Sequence, residues 1–337
     1  MLSGMLNLAQ TFFGRAARSD APAMQAREGS WLAREQAIMG TAIRVESWSE
    51  DRANGETAIA AVMEEMHRID AAMSPFKPDS ELSRINREAA RRPVPLTQEM
   101  FALIQRSIAF SRMSDGAFDI TFASVGQLYD YRERVKPSDA QLAAARSAIG
   151  YQNLILDPQA CTVRFAHAGT RIDLGGFAKG YAVDNGAAIL RRHGIAHGIV
   201  TAGGDTHIVG DRRGRPWAIG IRDPRRAGEV VAMLPLENTA LSTSGDYERF
   251  FESDGVRFHH VIDPRTGKSP SHVQSVTVIA PDGLTTEAFS KCVFVMGVEK
   301  GLQFIESKPG VDAVVVDGMG LLHYTTGLLD DVPESRQ

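Results

Sequence analysis

A chain of 337 residues, 43% hydrophobic and 23% charged, has ordinary globular composition and the length for one large domain or two modest ones. A net charge of −4 with scattered arginines gives no general pull toward nucleic acid, and two cysteines cannot build a disulfide framework. No apolar stretch reaches the roughly 18 to 20 residues of a membrane span. The N-terminal MLSGMLNLAQTFFGRAARSDA has no basic residue before Arg15 and fits a secretory signal poorly. The expectation is a cytoplasmic chain, with a periplasmic or membrane-tethered form as the alternative, and a mobile tail over residues 1–30.

In chain order, QAIMGTAIRVES (36–47) reads as a strand interrupted by a glycine. Residues 56–73 carry Ile59, Val62, Met63, Met66, Ile69 and Met73 at helical spacing, a core-facing stripe whose methionines pack. MSPFKPDSELSRIN (73–86) is a loop in which Asp79 or Ser80 caps a short helix. A helix over 97–114, capped by Thr97, is broken by SDGAFDIT at 114–121. Strands are predicted at 162–174, 197–209, 217–222, 230–236, 257–263 and 274–280, and helices at 178–193 and 286–306. A last strand pair, 312–317 and 320–324, joins at Asp317-Gly318. Strands in runs, with helices between the groups, predict the α+β class. Without a linker or a fixed-period repeat, residues 31–330 are expected to form a single compact domain of mixed or antiparallel sheet with flanking helices.

The stretch RIDLGGFAKG (171–180) is neither a P-loop nor a dinucleotide fingerprint. It combines a strand end, a turn at Gly175 and Gly176 where backbone can approach a ligand, and Lys179 in the first helical turn, which suits an anion. Other polar residues also sit in glycine-rich breaks: Asp119 in GAFD, Asp205 in TAGGDTH, Ser244 and Asp246 in STSGDY, and His260 with Asp263 in HHVIDPRTG. Each alone reads equally as a turn-former or a satisfied structural group. None has zinc spacing; carboxylates, backbone carbonyls and phosphate oxygens would suit magnesium. His259 and His260 are adjacent in a predicted strand, so only one faces the site. His193, His207 and His272 read as surface or strand-edge residues and Trp217 as sheet packing. Cys292 reads as a buried thiol, and Cys161 as the start of a strand.

The motifs IMGT (38–41), MSPFKPDSELSRIN (73–86), GAFDIT (116–121), DLGGFAKGYAVD (173–184), TAGGD (201–205), TSGDYERFF (243–251), HHVIDPRTG (259–267) and SVTVIA (275–280) resemble, in sequence and order, the ApbE family of FAD:protein FMN transferases. The resemblance covers about residues 36–325. It implies an enzyme that moves the FMN half of FAD to a threonine or serine hydroxyl of a flavin-acceptor redox protein, releasing AMP with the help of Mg2+. It implies that Met39 touches the flavin and that Phe76 stands where a tyrosine usually stacks, keeping the flat apolar face and losing the hydroxyl. Ala117, Phe118, Asp119, Asp173 and Lys179 would line the FAD, His260 would lie beside the flavin or phosphates, and the Gly176 carbonyl would ligate the metal. His260, Asp173 and Lys179 are the catalytic candidates.

One place departs from the family. The metal positions follow a pattern like D-A-x-x-T, and this chain has Glu287 for the aspartate and Lys291 for the threonine. A protonated lysine cannot ligate magnesium. The pair reads either as a solvated i, i+4 ion pair on a helix face, or as Lys291 placing its ammonium where magnesium would sit. The alternatives to transfer are an FAD-binding paralogue of weak or no activity and an FAD pyrophosphatase.

Overall fold

In the computed structural model, which describes residues 29–330, the first element is a hairpin, not one interrupted strand: β1 (Ser30–Ile38) pairs antiparallel with β2 (Thr41–Ser49). Met39 and Gly40 form its two-residue turn with φ of 55° and 71°. Two left-handed residues in succession match the twist of the flanking strands, but the usual Asn-Gly signature is missing, so the sequence pattern hid the turn. All of the tail expected over 1–30 but Gly29 and Ser30 lies outside the described residues.

Helix α1 (Arg52–Met73) is capped by Asp51 and buries every residue of the predicted stripe. The short helix α2 (Glu81–Glu88) starts at Ser80, which accepts from the Ser83 N–H at 3.0 Å. After the two-residue strand β3 (Val94–Pro95), α3 (Gln98–Met113) starts at Thr97, which accepts from the Met100 N–H. Two short helices, α4 (Ala123–Gly126) and α5 (Asp139–Ala145), lead to β4 (Leu154–Asp157) and β5 (Thr162–Phe165). The predicted strand 162–174 therefore ends at Phe165. Residues 171–174 run as an extended loop tied by side chains, because Asn86 both accepts from the Ile172 N–H and donates to its carbonyl at 2.8 Å.

Helix α6 (Ala178–Arg192) precedes β6 (Gly198–Ala202) and β7 (Asp205–Val209), a hairpin where one strand was predicted. The strands β8 (Trp217–Arg222) and β9 (Val230–Leu236) form their own ribbon. Strand β10 (Ala240–Gly245) was absent from the prediction because its ALSTSG reads as a polar break. It is followed by the pair β11 (Phe250–Ser253) and β12 (Val256–His259), then by β13 (Val273–Ala280). The predicted helix 286–306 is two helices, α7 (Gly283–Met296) and α8 (Val298–Glu306), separated at Gly297. The last strands are β14 (Asp312–Asp317) and β15 (Leu322–Tyr324).

The large sheet runs β1-β2-β6-β7-β10-β13-β14-β15 with every neighbouring pair antiparallel, as the α+β expectation requires. Helices α1, α6 and α7 pack on one face. On the other, Trp217 from the β8–β9 ribbon is buried against Ile208, Leu241 and Ile279. Both faces of the central strands are thus covered, which explains why β7 and β13 are buried along their whole length. Alternation then sends Asp205, His207, Ser242 and Ser244 toward the helices. Here the surface reading of His207 fails: its ring is buried and its Nδ1 meets Asp184 at 2.6 Å.

Helices α6 and α7 meet backbone to backbone. A Cβ on Gly180 would lie 2.1 Å from the Gly283 carbonyl oxygen, and one on Gly283 would lie 2.7 Å from that of Gly180. Asp184 accepts from the Gly283 and Leu284 N–H groups, satisfying orphan donors at the head of α7. Among the described residues no helix is long and apolar enough to cross a membrane. Gly180→Ala should force the helices apart and cost about 3 kcal/mol of stability, read as a lowered midpoint in urea denaturation; an unchanged midpoint contradicts the close approach.

Candidate active site

A cleft of about 940 Å³ opens at the edge of the helical layer. One lip is Pro75 and Phe76 in the loop before α2, and the Phe76 ring is 86% exposed, free to meet a flat ligand. The floor is the GAFD turn. The Ser114 hydroxyl accepts from the Phe118 N–H, and Asp119 accepts from the Thr121 N–H (2.8 Å), the Thr121 hydroxyl (2.6 Å) and the Tyr151 N–H (2.6 Å). Asp119 borders the cleft, but its carboxylate is buried and engaged with the protein itself, and burial holds its pKa above the usual range. It shapes the floor that Ala117 and Phe118 complete.

The opposite wall is the loop of Asp173, Gly175 and Gly176. Asp173 donates its own N–H to the Ile120 carbonyl and accepts from the Gly175 N–H at 2.7 Å. Burial raises its pKa, against the Gly175 hydrogen bond and the charge of Arg249. His260, just beyond β12, also lines the cleft, and its Nδ1 has no hydrogen-bond partner. Burial first, then the positive charge of Lys291, pushes its pKa down to about 3. His259 turns the other way, with Nε2 against the Pro270 carbonyl at 2.7 Å, as adjacent residues facing opposite sides require.

Beneath this wall lies a buried group of charges. The Lys179 ammonium donates to Asp205 at 2.5 Å and to Glu287, whose other oxygen accepts from the Gly180 N–H at 2.8 Å. Ser242 donates to the second oxygen of Asp205 at 2.6 Å. Burial works against the Lys179 charge, but the two carboxylates outweigh it and hold its pKa above the ordinary value. Burial also raises Glu287, with the Asp205 charge adding to the effect.

Lys179 is clamped between two carboxylates, with a side-chain exposure of 23%. Glu287 has a side-chain exposure of 0%, so the solvated-pair reading of Glu287 and Lys291 fails. Lys291 stands 3.9 Å from Glu287, lies with its stem against Gly176 and borders the cleft. Met39 borders a separate hollow of about 560 Å³, shared with His67, Asp70 and Lys77. A Cβ on the neighbouring Gly40 would lie 3.3 Å from Arg249, so the hairpin turn approaches the cleft's edge.

Several glycine-break candidates are structural. Ser244 bonds Ser290, Asp246 grips Arg225 with both oxygens, and Asp263 holds the turn through Gly267 and the Arg265 side chain. The sequence reading missed Arg87, Arg171 and Arg249 on the cleft, although all three lie in or beside the motifs it quoted. Scattered arginines carry no local signature; only the fold gathers them.

An exposed aromatic lip with Arg87, Arg171, Arg249 and Lys291 on the same lining gives the cleft the chemistry to receive a small molecule that carries a flat ring and an anionic group. More specifically, this chain belongs to the ApbE family, whose model matches residues 39–315. A relative from Treponema pallidum, named FAD:protein FMN transferase, is 31% identical over 89% of this chain and 88% of its own length. One of the same name from Haemophilus influenzae is 33% identical over 71% of this chain and 72% of its own. The crystal structure of an ApbE protein from Thermotoga maritima superposes with a TM-score of 0.83 at 33% identity, covering 89% of this chain and 98% of that one. The flavin transferase ApbE from Vibrio cholerae gives 0.80 at 26% identity over 90% and 99%.

Lys179→Met should leave Glu287 buried beside Asp205 without a hydrogen-bonded cation, a loss of about 3 to 5 kcal/mol in denaturant unfolding near neutral pH. An acid whose folded pKa is raised binds protons more readily when folded, so the loss should shrink as the pH falls through the Glu287 pKa. A separate check is the His260 ring in the ligand-free protein. Nitrogen NMR should find it neutral throughout pH 5 to 8, and a midpoint near 6.5 contradicts the burial argument.

Proposed function

We propose that this chain is an FAD:protein FMN transferase, moving FMN from FAD to a threonine or serine hydroxyl of a flavin-acceptor redox protein and releasing AMP. The observation that carries this reading is the cleft, at the upper end of small-molecule pocket volumes, in a chain whose relatives share that name across most of their length. Phe76 and Pro75 offer a stacking lip for the flavin ring. Arg171, Arg249 and Lys291 bring positive charge to the diphosphate, and Met39 meets the flavin only if the ligand reaches past the lip to the neighbouring hollow.

In the reaction, the acceptor hydroxyl attacks the phosphorus of the FMN half. The bond from that phosphorus to the bridging oxygen breaks, AMP departs with the oxygen, and the hydroxyl proton passes to a base. Transfer of this kind asks mainly for alignment and for neutralised oxygens. Asp173 and His260 are the proton acceptors within the cleft. Asp173 has the higher basicity from its burial, and His260 has a free Nδ1 whose basicity an incoming anion would raise.

Family resemblance brings a magnesium ion to Gly176, Glu287 and position 291, and the residues present do not fit one. Glu287 is already held by Lys179 and the Gly180 N–H, position 291 is a cation, and no cluster of three or more His, Cys, Asp or Glu side chains suited to a metal exists among the described residues. No step is therefore assigned to a metal.

Incubation with FAD and a flavin-acceptor domain should raise the acceptor's mass by one FMN and release AMP in equal amount. His260→Ala should slow this by about 10² or more. FAD returned unchanged would contradict the transferase reading, as would free FMN produced equally well without acceptor.

A further inference from the structure

We propose that the Lys291 ammonium neutralises the diphosphate of the bound dinucleotide in place of a divalent cation, so that this chain holds FAD without a metal. The proposal rests on the transferase reading for the identity of the ligand and not for the charge argument itself.

Lys291 is four residues beyond Glu287 on α7, one turn nearer the cleft. Its stem runs past Gly176, with Cε 3.7 Å and Cγ 3.8 Å from where a Cβ would stand there, and a larger residue at 176 would crowd it. The two lysines of the charge group differ in how they are satisfied. Lys179 donates to two carboxylates, whereas Lys291 has a charge contact at 3.9 Å to Glu287 and no hydrogen bond among the described residues. Its side chain, 17% exposed, belongs to the lining of the cleft, and its ammonium donors are without an acceptor among the described residues. An oxyanion is the natural acceptor for a compact, three-donor point charge.

Charge balance points the same way. With Asp205 and Glu287 ionised and Lys179 and Lys291 protonated, the group sums to zero before any ligand arrives. Burial, which lowers the Lys291 pKa and raises that of Glu287, leaves that pair balanced, while an incoming anion favours the protonated lysine. A divalent cation added beside Glu287 would face both ammonium groups, and the Asp205 and Glu287 carboxylates are already engaged by Lys179. A diphosphate in the cleft meets Lys291 as the cation of this charge group that no carboxylate hydrogen-bonds, with Arg171 and Arg249 on the same lining.

Calorimetry on the full chain tests this with FAD as the probe, in EDTA and in millimolar magnesium chloride. The expected result is the same FAD affinity, within about twofold, in both buffers. Lys291→Met should weaken FAD binding at least tenfold, and magnesium should not restore it. If that variant fails to fold, judged by its circular dichroism, the wild-type comparison alone decides. A gain of tenfold or more in wild-type affinity on adding magnesium overturns the proposal, and so does a folded Lys291→Met that binds FAD as tightly as wild type. No FAD binding in either buffer overturns this proposal together with the transferase reading. The expected binding pattern without AMP release on adding acceptor overturns the transferase reading and leaves the proposal standing.

Discussion

The site is organised around one ammonium group held between two buried carboxylates. Lys179 from α6, Asp205 from β7 and Glu287 from α7 come from three separate elements, and their mutual attraction fixes how those elements meet. Two carboxylates at this depth repel each other and resist ionisation; the cation between them offsets part of that penalty, and the Glu287 pKa stays raised. Two of the three Lys179 N–H donors are engaged in this way, so at most one is left for a ligand. The task of meeting an anion passes to Lys291, one turn further along α7.

The geometry that permits this is set by two glycines. Gly180 and Gly283 let α6 and α7 touch through their backbones, which brings the Glu287 carboxylate within reach of both the Lys179 ammonium and the Gly180 N–H. Ser242, on the strand between β7 and β13, completes the coordination of Asp205 from the sheet side. The cleft wall is then assembled on this base. Asn86 ties the Ile172 backbone to α2, Asp173 ties the loop to the 3₁₀ turn at Ile120, and the Lys291 stem covers Gly176. Each wall residue is therefore held by at least one contact that does not depend on ligand.

Much of the architecture is legible in sequence because it rests on local signals. The apolar stripe of α1, the Ser80 and Thr97 caps, and the strands at 217–222, 230–236 and 274–280 all follow from spacing and turn chemistry. What escaped was decided by tertiary context. Strand β10 is rich in serine and lies at the sheet's centre, since its hydroxyls find partners on α7 and β7. The Met39-Gly40 turn lacks the usual residues, and the Gly297 break splits an otherwise continuous helical pattern. At the site, the motifs marked Asp173, Gly176, His260 and Lys291 as neighbours, and they do line one cleft. Spacing alone could not tell which candidate carboxylates would be engaged internally. Asp119, Asp205 and Asp246 carry the same side chain in similar glycine-rich breaks, and only their partners distinguish them.

The most direct measurement is a crystal structure of the full chain soaked with FAD and manganese, with anomalous scattering recorded at the manganese edge. The expected result is a Lys291 ammonium within hydrogen-bond distance of a diphosphate oxygen, Lys179 still between Asp205 and Glu287, and no anomalous peak beside Gly176. A manganese ion bound by Glu287 and the Gly176 carbonyl, with Lys291 swung out of the cleft, would contradict the assignment of that ammonium as the cation of the site.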